Sequence, residues 1–360
     1  MKIGILTFQR TSNFGSMLQT YALAAAIRAL GYNAEVIDYR CSSVESRERL
    51  TPKFSSLRDI ARYLIVDRKL IKKGKALLSF LMGKCLLSSR RFEKSDLNKS
   101  LTEYDIFIVG SDIVWDPLIT NSDLTFFLDF VPQTKGKISF ASSLGKEPDY
   151  HSIFWEKAFY NLTLFDSISV REEKTAKIFS DYLKKDVKWV CDPTLLLDVN
   201  EWNKVTSDKY KGKNYVLVYF NAGTSVEDAI EYAKKINAEV YLVNYSFPVK
   251  GTKSISEINL EDFLSLIKYA KCVFTGSYHG MLFSIYFEKD FWFYNRAHAE
   301  RMISLASRFN LLSRDRGKNQ LVMESIDYSK ITPLVKEFRN ESKKWLNNAI
   351  LKTEERLKNE

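Results

Sequence analysis

The opening of the chain constrains the fold most, because its first forty residues spell strand, loop, helix and strand without a break. Residues 2–8 form a short apolar run that ends at Gln9 and Arg10. Residues 17–30 are rich in Ala and Leu and hold no Pro or Gly, which favours a helix. Gly31 follows as a stop suited to a left-handed cap. Residues 34–39 predict the next strand. Two strands joined through a helix lie parallel, with a right-handed crossover. The opening therefore predicts an α/β chain.

The alternation continues. Strands are expected at 105–109, 137–141, 167–170 and 187–191, with helices at 153–164 and 172–180. Residues 53–98 lack strand patterning and read as a helical insertion. After a polar stretch the pattern restarts, with strands at 215–220, 239–243, 272–275 and 291–294. Helices are expected between them at 226–236, 260–269 and 281–287, and another at 301–309. Residues 328–358 read as one long charged helix. The expected organisation is a Rossmann-like lobe over 1–198 carrying the insertion at 53–98, a second over 199–325, and a helical segment over 326–360. In such sheets ligands bind at the carboxyl ends of the strands.

Composition narrows the class. The chain is 45% hydrophobic and 14% aromatic, too apolar for disorder. The longest apolar stretch, 76–87, contains Lys84 and is short of the ~18 residues a membrane span needs. The first apolar run is too short for a signal peptide, so a cytoplasmic location is expected. Cys41, Cys85, Cys191 and Cys272 are scattered, so they predict small buried side chains and not a disulfide framework or a metal cluster. Net charge is +10, and eight positives between Arg68 and Arg91, with no acid among them, nearly account for it. Interleaved with leucines, this stretch fits an anionic membrane surface, or else an ordinary solvated helix face. No nucleic-acid motif is present, and no nucleic-acid partner is expected.

Several strand ends carry candidate chemistry. The segment 276–280 places Gly276, Ser277, Tyr278, His279 and Gly280 after a buried strand and before a helix. Glycines allow close backbone approach to a ligand, and a helix N-terminus attracts anions. A histidine side chain titrates near neutral pH and can move a proton. The same pattern also describes a turn with a structural histidine. Asp112, after Gly110 and Ser111, is either an acid–base group or a helix cap. Trp115 either stacks on a sugar or packs in the core. Asn13 and Gly15 follow the first strand without forming a dinucleotide or P-loop fingerprint, and either line a polar substrate or cap the helix. Arg171, Arg296 and Arg301 are candidate grips for a carboxylate or phosphate, or members of ion pairs.

Together the segments resemble the polysaccharide pyruvyl transferase family over roughly residues 1–315. The resemblance rests on Asn13-Phe14-Gly15 with Leu18-Gln19, on Val109-Gly110-Ser111-Asp112 with Val114-Trp115, and on 138–145 (Ile-Ser-Phe-Ala-Ser-Ser-Leu-Gly). It continues through Ser169-Val170-Arg171-Glu172, 191–196 (Cys-Asp-Pro-Thr-Leu-Leu), Ser277-Tyr278-His279-Gly280 and 301–305 (Arg-Met-Ile-Ser-Leu). It implies two Rossmann-like lobes facing a central cleft, as in glycosyltransferases of the B type. It implies transfer of pyruvate from phosphoenolpyruvate to a sugar of a surface polysaccharide or its lipid-linked precursor, with no cofactor and no metal. On that reading His279 is the acid, Arg171 and the helix start after Ser277 grip the donor's anions, and Asp112 handles the acceptor hydroxyl. Many family members carry an arginine two residues before this histidine. Ser277 stands there, so Arg296 or Arg301 compensates or the donor differs. The alternatives are a sugar-nucleotide glycosyltransferase of the same plan and a non-enzymatic, membrane-associated assembly factor.

Overall fold

The computed structural model describes residues 1–52, 54–295 and 300–359. The described strands form two parallel sheets. The first holds β1 (Lys2–Leu6), β2 (Asn33–Tyr39), β3 (Leu87–Phe92), β4 (Ile106–Val109), β5 (Gly136–Ser142), β6 (Ser167–Val170) and β7 (Val187–Trp189). Their spatial order is β3-β2-β1-β4-β5-β6-β7. The second holds β8 (Tyr215–Tyr219), β9 (Glu239–Val243), β10 (Lys253–Ile255), β11 (Cys272–Thr275) and β12 (Asp290–Phe293), in the order β10-β9-β8-β11-β12. Helices such as Phe14–Ala29 and Tyr278–Tyr286 supply the crossovers that parallel pairing demands.

The central strands are buried throughout. Ile-Phe-Ile-Val of β4, Tyr-Val-Leu-Val-Tyr of β8 and Cys-Val-Phe-Thr of β11 hold no exposed residue. Such unbroken apolar runs are what a sheet covered on both faces requires. In the first sheet the strand order reverses between β1 and β4, in the second between β8 and β11. At such a reversal the loops beyond the strand ends diverge and leave a crevice for ligand.

The chain forms two compact units. One comprises Met1–Glu48, Leu78–Leu197 and Lys336–Glu360, the other Arg49–Leu77 and Asp198–Val335. The stretch read as a helical insertion is therefore shared between them. It also contains a strand. β3 reads Leu-Ser-Ser-Arg-Arg-Phe, with Ser89, Arg90 and Arg91 exposed, and pairs with β2 at the sheet edge. The basic residues of 68–91 thus do not lie on one helix: helix Arg68–Gly83 carries one group, and Arg90 and Arg91 sit on β3. Of the cysteines, Cys41, Cys191 and Cys272 are buried, whereas Cys85 is exposed.

The long helix Tyr328–Asn359 runs into the first unit and is built into it. Arg356 donates to both Asp166 carboxylate oxygens at 2.6 and 3.1 Å. Ser342 accepts from the Cys191 amide at 2.9 Å. Thr353 lies so close to Gly136 that a Cβ on that residue would sit 2.4 Å from the threonine methyl. Among the described residues no helix is long and apolar enough to cross a membrane.

Candidate active site

In the first unit, the loop after β1 is pinned before the helix begins. Thr11 and Ser12 hydroxyls donate to the Glu48 carboxylate at 3.1 and 2.9 Å. Asn13 then caps helix Phe14–Ala29, its side-chain oxygen accepting from the Gly15 amide at 2.9 Å. The cap satisfies an amide that the first helical turn would otherwise leave open. Asn13 and Gly15 therefore shape the helix start, whatever else they touch.

Ser16, in that first turn, donates to the carboxylate of Asp112 across the reversal point between β1 and β4. Asp112 has a φ of 82°, a left-handed value uncommon outside glycine. It is buried and also accepts from the Ile113 amide at 2.8 Å. Strained, buried polar residues at strand ends are a mark of functional sites. Ser16 was not among the residues singled out from sequence. A hydroxyl one turn into the helix after β1 was the available signal.

Two expectations in this unit change. Trp115 is 0% exposed and belongs to the core. Its ring stacks on Phe127 at 5.4 Å, contacts Phe179 at 5.7 Å, and its Nε1 donates to the Phe126 carbonyl at 2.8 Å. With its faces covered by aromatic neighbours, it cannot serve as a sugar platform. Arg171 is committed within the protein. Its Nη1 donates to Asp192 at 2.9 Å, its Nε lies 3.5 Å from Glu172, and the side chain is 0% exposed. Ser111, fully buried, joins this cluster through its hydroxyl, 3.3 Å from both Arg171 and Asp192. Asp192 also takes the Thr194 hydroxyl at 2.8 Å, and Glu172 takes that of Ser143 at 2.6 Å. This buried network ties the ends of β4 and β6 to the turn after β7, and makes Arg171, with its side chain 0% exposed, a positioning residue rather than an anion grip.

In the second unit, helix Tyr278–Tyr286 starts three residues earlier than its apolar pattern suggests, so His279 stands in its first turn rather than in a loop. The Gly276 amide donates to the Phe220 carbonyl at 3.0 Å, joining the ends of β8 and β11 at their reversal point. Phe220 has a φ of 61°, a second strained residue at a strand end. Ser277 is the N-cap, accepting from the Gly280 amide at 3.3 Å. Its own amide donates to Thr275 Oγ1 at 3.0 Å. Tyr278 and His279 are both buried, their rings edge-on at 5.4 Å. Arg301, in the first turn of helix Glu300–Arg308, holds its guanidinium 6.0 Å over the Tyr278 ring. A positive charge thus lies over the ring of the first residue of helix Tyr278–Tyr286. Arg296 lies outside the described residues. Among the described residues no three His, Cys, Asp or Glu side chains group as a metal site would require.

Each unit therefore presents a buried titratable side chain at a strand-order reversal, Asp112 in one and His279 in the other. A model of the polysaccharide pyruvyl transferase family matches residues 13–298. The chain belongs to that family. The stretch matched holds every candidate above except Arg301. No curated protein matches the sequence. Among solved structures, UDP-GlcNAc 2-epimerase from Neisseria meningitidis bound to UDP-GlcNAc aligns with a TM-score of 0.53 at 13% identity, over 98% of this chain and 100% of that one. A putative UDP-N-acetylglucosamine 2-epimerase from Listeria monocytogenes gives 0.50 at 10% identity, over 96% and 90%. At such identities the likeness is one of fold, the two-lobed glycosyltransferase-B-like class. In this pyruvyl transferase family member, Gly280 lets the histidine-bearing helix pack close against Thr275 and Tyr219. A Cβ at Gly280 would lie 2.3 Å from Thr275 Oγ1 and 2.9 Å from the Tyr219 ring. Gly280→Ala is expected to destabilise by ~1–3 kcal/mol, the usual range for overpacking. Thermal unfolding checks this, and an unchanged midpoint would mean the helix start has room to spare.

Proposed function

We propose that this chain transfers pyruvate from phosphoenolpyruvate to a sugar of a surface polysaccharide or its lipid-linked precursor, forming a cyclic ketal at the inner face of the plasma membrane. The observation that carries the reading is His279, buried in the first turn of a helix at a strand-order reversal, in a chain of the pyruvyl transferase family. His279 protonates the methylene carbon of the enol, which becomes a methyl group. The adjacent carbon turns cationic and accepts one sugar hydroxyl, and a second hydroxyl displaces phosphate to close the ketal. Of the two hydroxyl protons, one replaces that spent on the methyl group and the other leaves with phosphate. The donor's carboxylate and phosphate are matched by the amides opening helix Tyr278–Tyr286 and by Arg301. Asp112, hydrogen-bonded to Ser16, receives the acceptor's hydroxyl proton. A lipid-linked acceptor lies at a membrane, which suits the acid-free basic stretch 68–91.

The decisive assay incubates the purified protein with phosphoenolpyruvate and a pool of lipid-linked oligosaccharides, and measures phosphate. Acceptor-dependent release of phosphate is expected, with pyruvate recovered on the sugar. Absence of release across galactose-, mannose- and amino-sugar-bearing acceptors sinks the reading. The solved epimerase bound to UDP-GlcNAc gives the competing reading its basis, a sugar-nucleotide donor. Release of a nucleoside diphosphate in the same assay would favour that one.

A further inference from the structure

Residues 54–75, all within the second unit, place a group of exposed apolar side chains beside an acid-free run of basic residues. Helix Leu57–Arg62 contains no buried residue. Phe54, Leu57, Ile60 and Leu64 are 59%, 85%, 42% and 55% exposed. Leu57, Ile60 and Leu64 follow the three- and four-residue spacing of one helical stripe. Phe54 extends the patch by packing edge-on against Tyr63 at 5.1 Å. An apolar stripe left in water on an otherwise charged helix marks a surface that something else covers.

The charges beside it say what. The helix continues through a wide π turn, Tyr63–Asp67, into Arg68–Gly83. Arg68, Lys72 and Lys75 are exposed there, continuing the stripe at the same spacing. The segment's acids are neutralised locally. Asp59 lies 3.1 Å from Arg62, and buried Asp67 lies 3.1 Å from Arg62 and 3.7 Å from Arg49. No acid follows Asp67 until Glu93. The exposed apolar side chains of the segment suit acyl chains, and the exposed cations that follow them suit anionic head groups. A second copy of the chain fits poorly, because pairing two such faces would oppose like charges.

We infer that Phe54, Leu57, Ile60 and Leu64 enter the acyl boundary of an anionic bilayer, with Arg68, Lys72 and Lys75 on its head groups. The face sharpens the membrane role given above to the basic stretch, and it rests on the reading of the acceptor as lipid-linked. The test floats the full chain with vesicles of phosphatidylcholine alone, and with vesicles containing about one-third phosphatidylglycerol, at low and high salt. The wild type is expected to float with the anionic vesicles and to be released by salt. Leu57→Asp with Leu64→Asp, and separately Arg68→Glu with Lys72→Glu, are each expected to weaken partitioning ~10-fold or more. These side chains are exposed, so circular dichroism and the unfolding midpoint should stay as in the wild type, and so should turnover of a water-soluble acceptor. Equal flotation of wild type and L57D/L64D overturns the inference, as does binding that ignores lipid charge. A wild-type dimer that L57D/L64D converts to monomer, without vesicle binding, overturns it in favour of self-association. Flotation uses no turnover, so a chain that floats but releases no phosphate from phosphoenolpyruvate would refute the proposed chemistry and leave the docking face standing.

Discussion

His279→Ala and His279→Gln are each expected to lower phosphate release from phosphoenolpyruvate by ~10²–10⁴-fold, the usual contribution of a positioned proton donor. Protonating an enol carbon needs a donor held still against it, and His279 is held. It sits in the first turn of a helix whose cap, Ser277, is tied to Gly280, and its ring meets Tyr278 edge-on. Of the other histidines, His151 is exposed in a loop and His298 lies outside the described residues. The anion grips proposed here, backbone amides and Arg301, survive both substitutions. The Michaelis constant for phosphoenolpyruvate should therefore move much less than turnover. A drop in turnover with an unshifted unfolding midpoint is the expected pattern. Wild-type turnover in His279→Gln, which cannot shuttle a proton, would remove the residue from the mechanism. In heavy water the wild type should also place deuterium in the methyl group of the ketal.

Why the histidine was legible in the sequence, and its surroundings less so, follows from what each residue has to satisfy. β4, β8 and β11 are covered on both faces, so their apolar runs announce them. The edge strands β3 and β10 bury little and have exposed or half-buried residues, so nothing in Leu-Ser-Ser-Arg-Arg-Phe or Lys-Ser-Ile stands out as a strand. Helix Tyr278–Tyr286 starts early because the Ser277 hydroxyl caps it, an effect that hydrophobic periodicity does not register. Trp115 follows a loop motif and could as well have faced solvent; only the arrival of Phe127 and Phe179 from elsewhere in the chain decides that it is core. Asp112 was visible as a carboxylate at a strand end, but its partner Ser16 lies 96 residues away and meets it only because β1 and β4 are neighbours. Pairings of that kind are properties of sheet order, not of local sequence.

Two roles for Arg171 are separable by experiment, and its replacement should have the largest effect on stability. Arg171→Ala is expected to cost ~3–5 kcal/mol, because it leaves a buried carboxylate without its cation. Asp192 has no exposed surface, and Glu172 little. Each keeps hydroxyl partners in Thr194 and Ser143, but a neutral donor offsets only part of a buried charge. Against the ~5–15 kcal/mol by which folded domains are stable, that loss is large. Denaturant unfolding measures it directly. Arg171→Met combined with Asp192→Asn should recover part of the loss, since it removes both charges of the closest pair together. Arg171→Lys should fall between, because one ammonium cannot reach Asp192, Glu172 and Ser111 in the fork geometry of a guanidinium. A donor-gripping arginine behaves differently: its removal would raise the Michaelis constant for phosphoenolpyruvate and leave the unfolding midpoint near the wild-type value. That second pattern would mean the Asp192 pair opens during turnover. The first would leave the anion-binding role to the helix start at Ser277 and to Arg301, where Arg301→Ala should then raise the same constant without loss of stability.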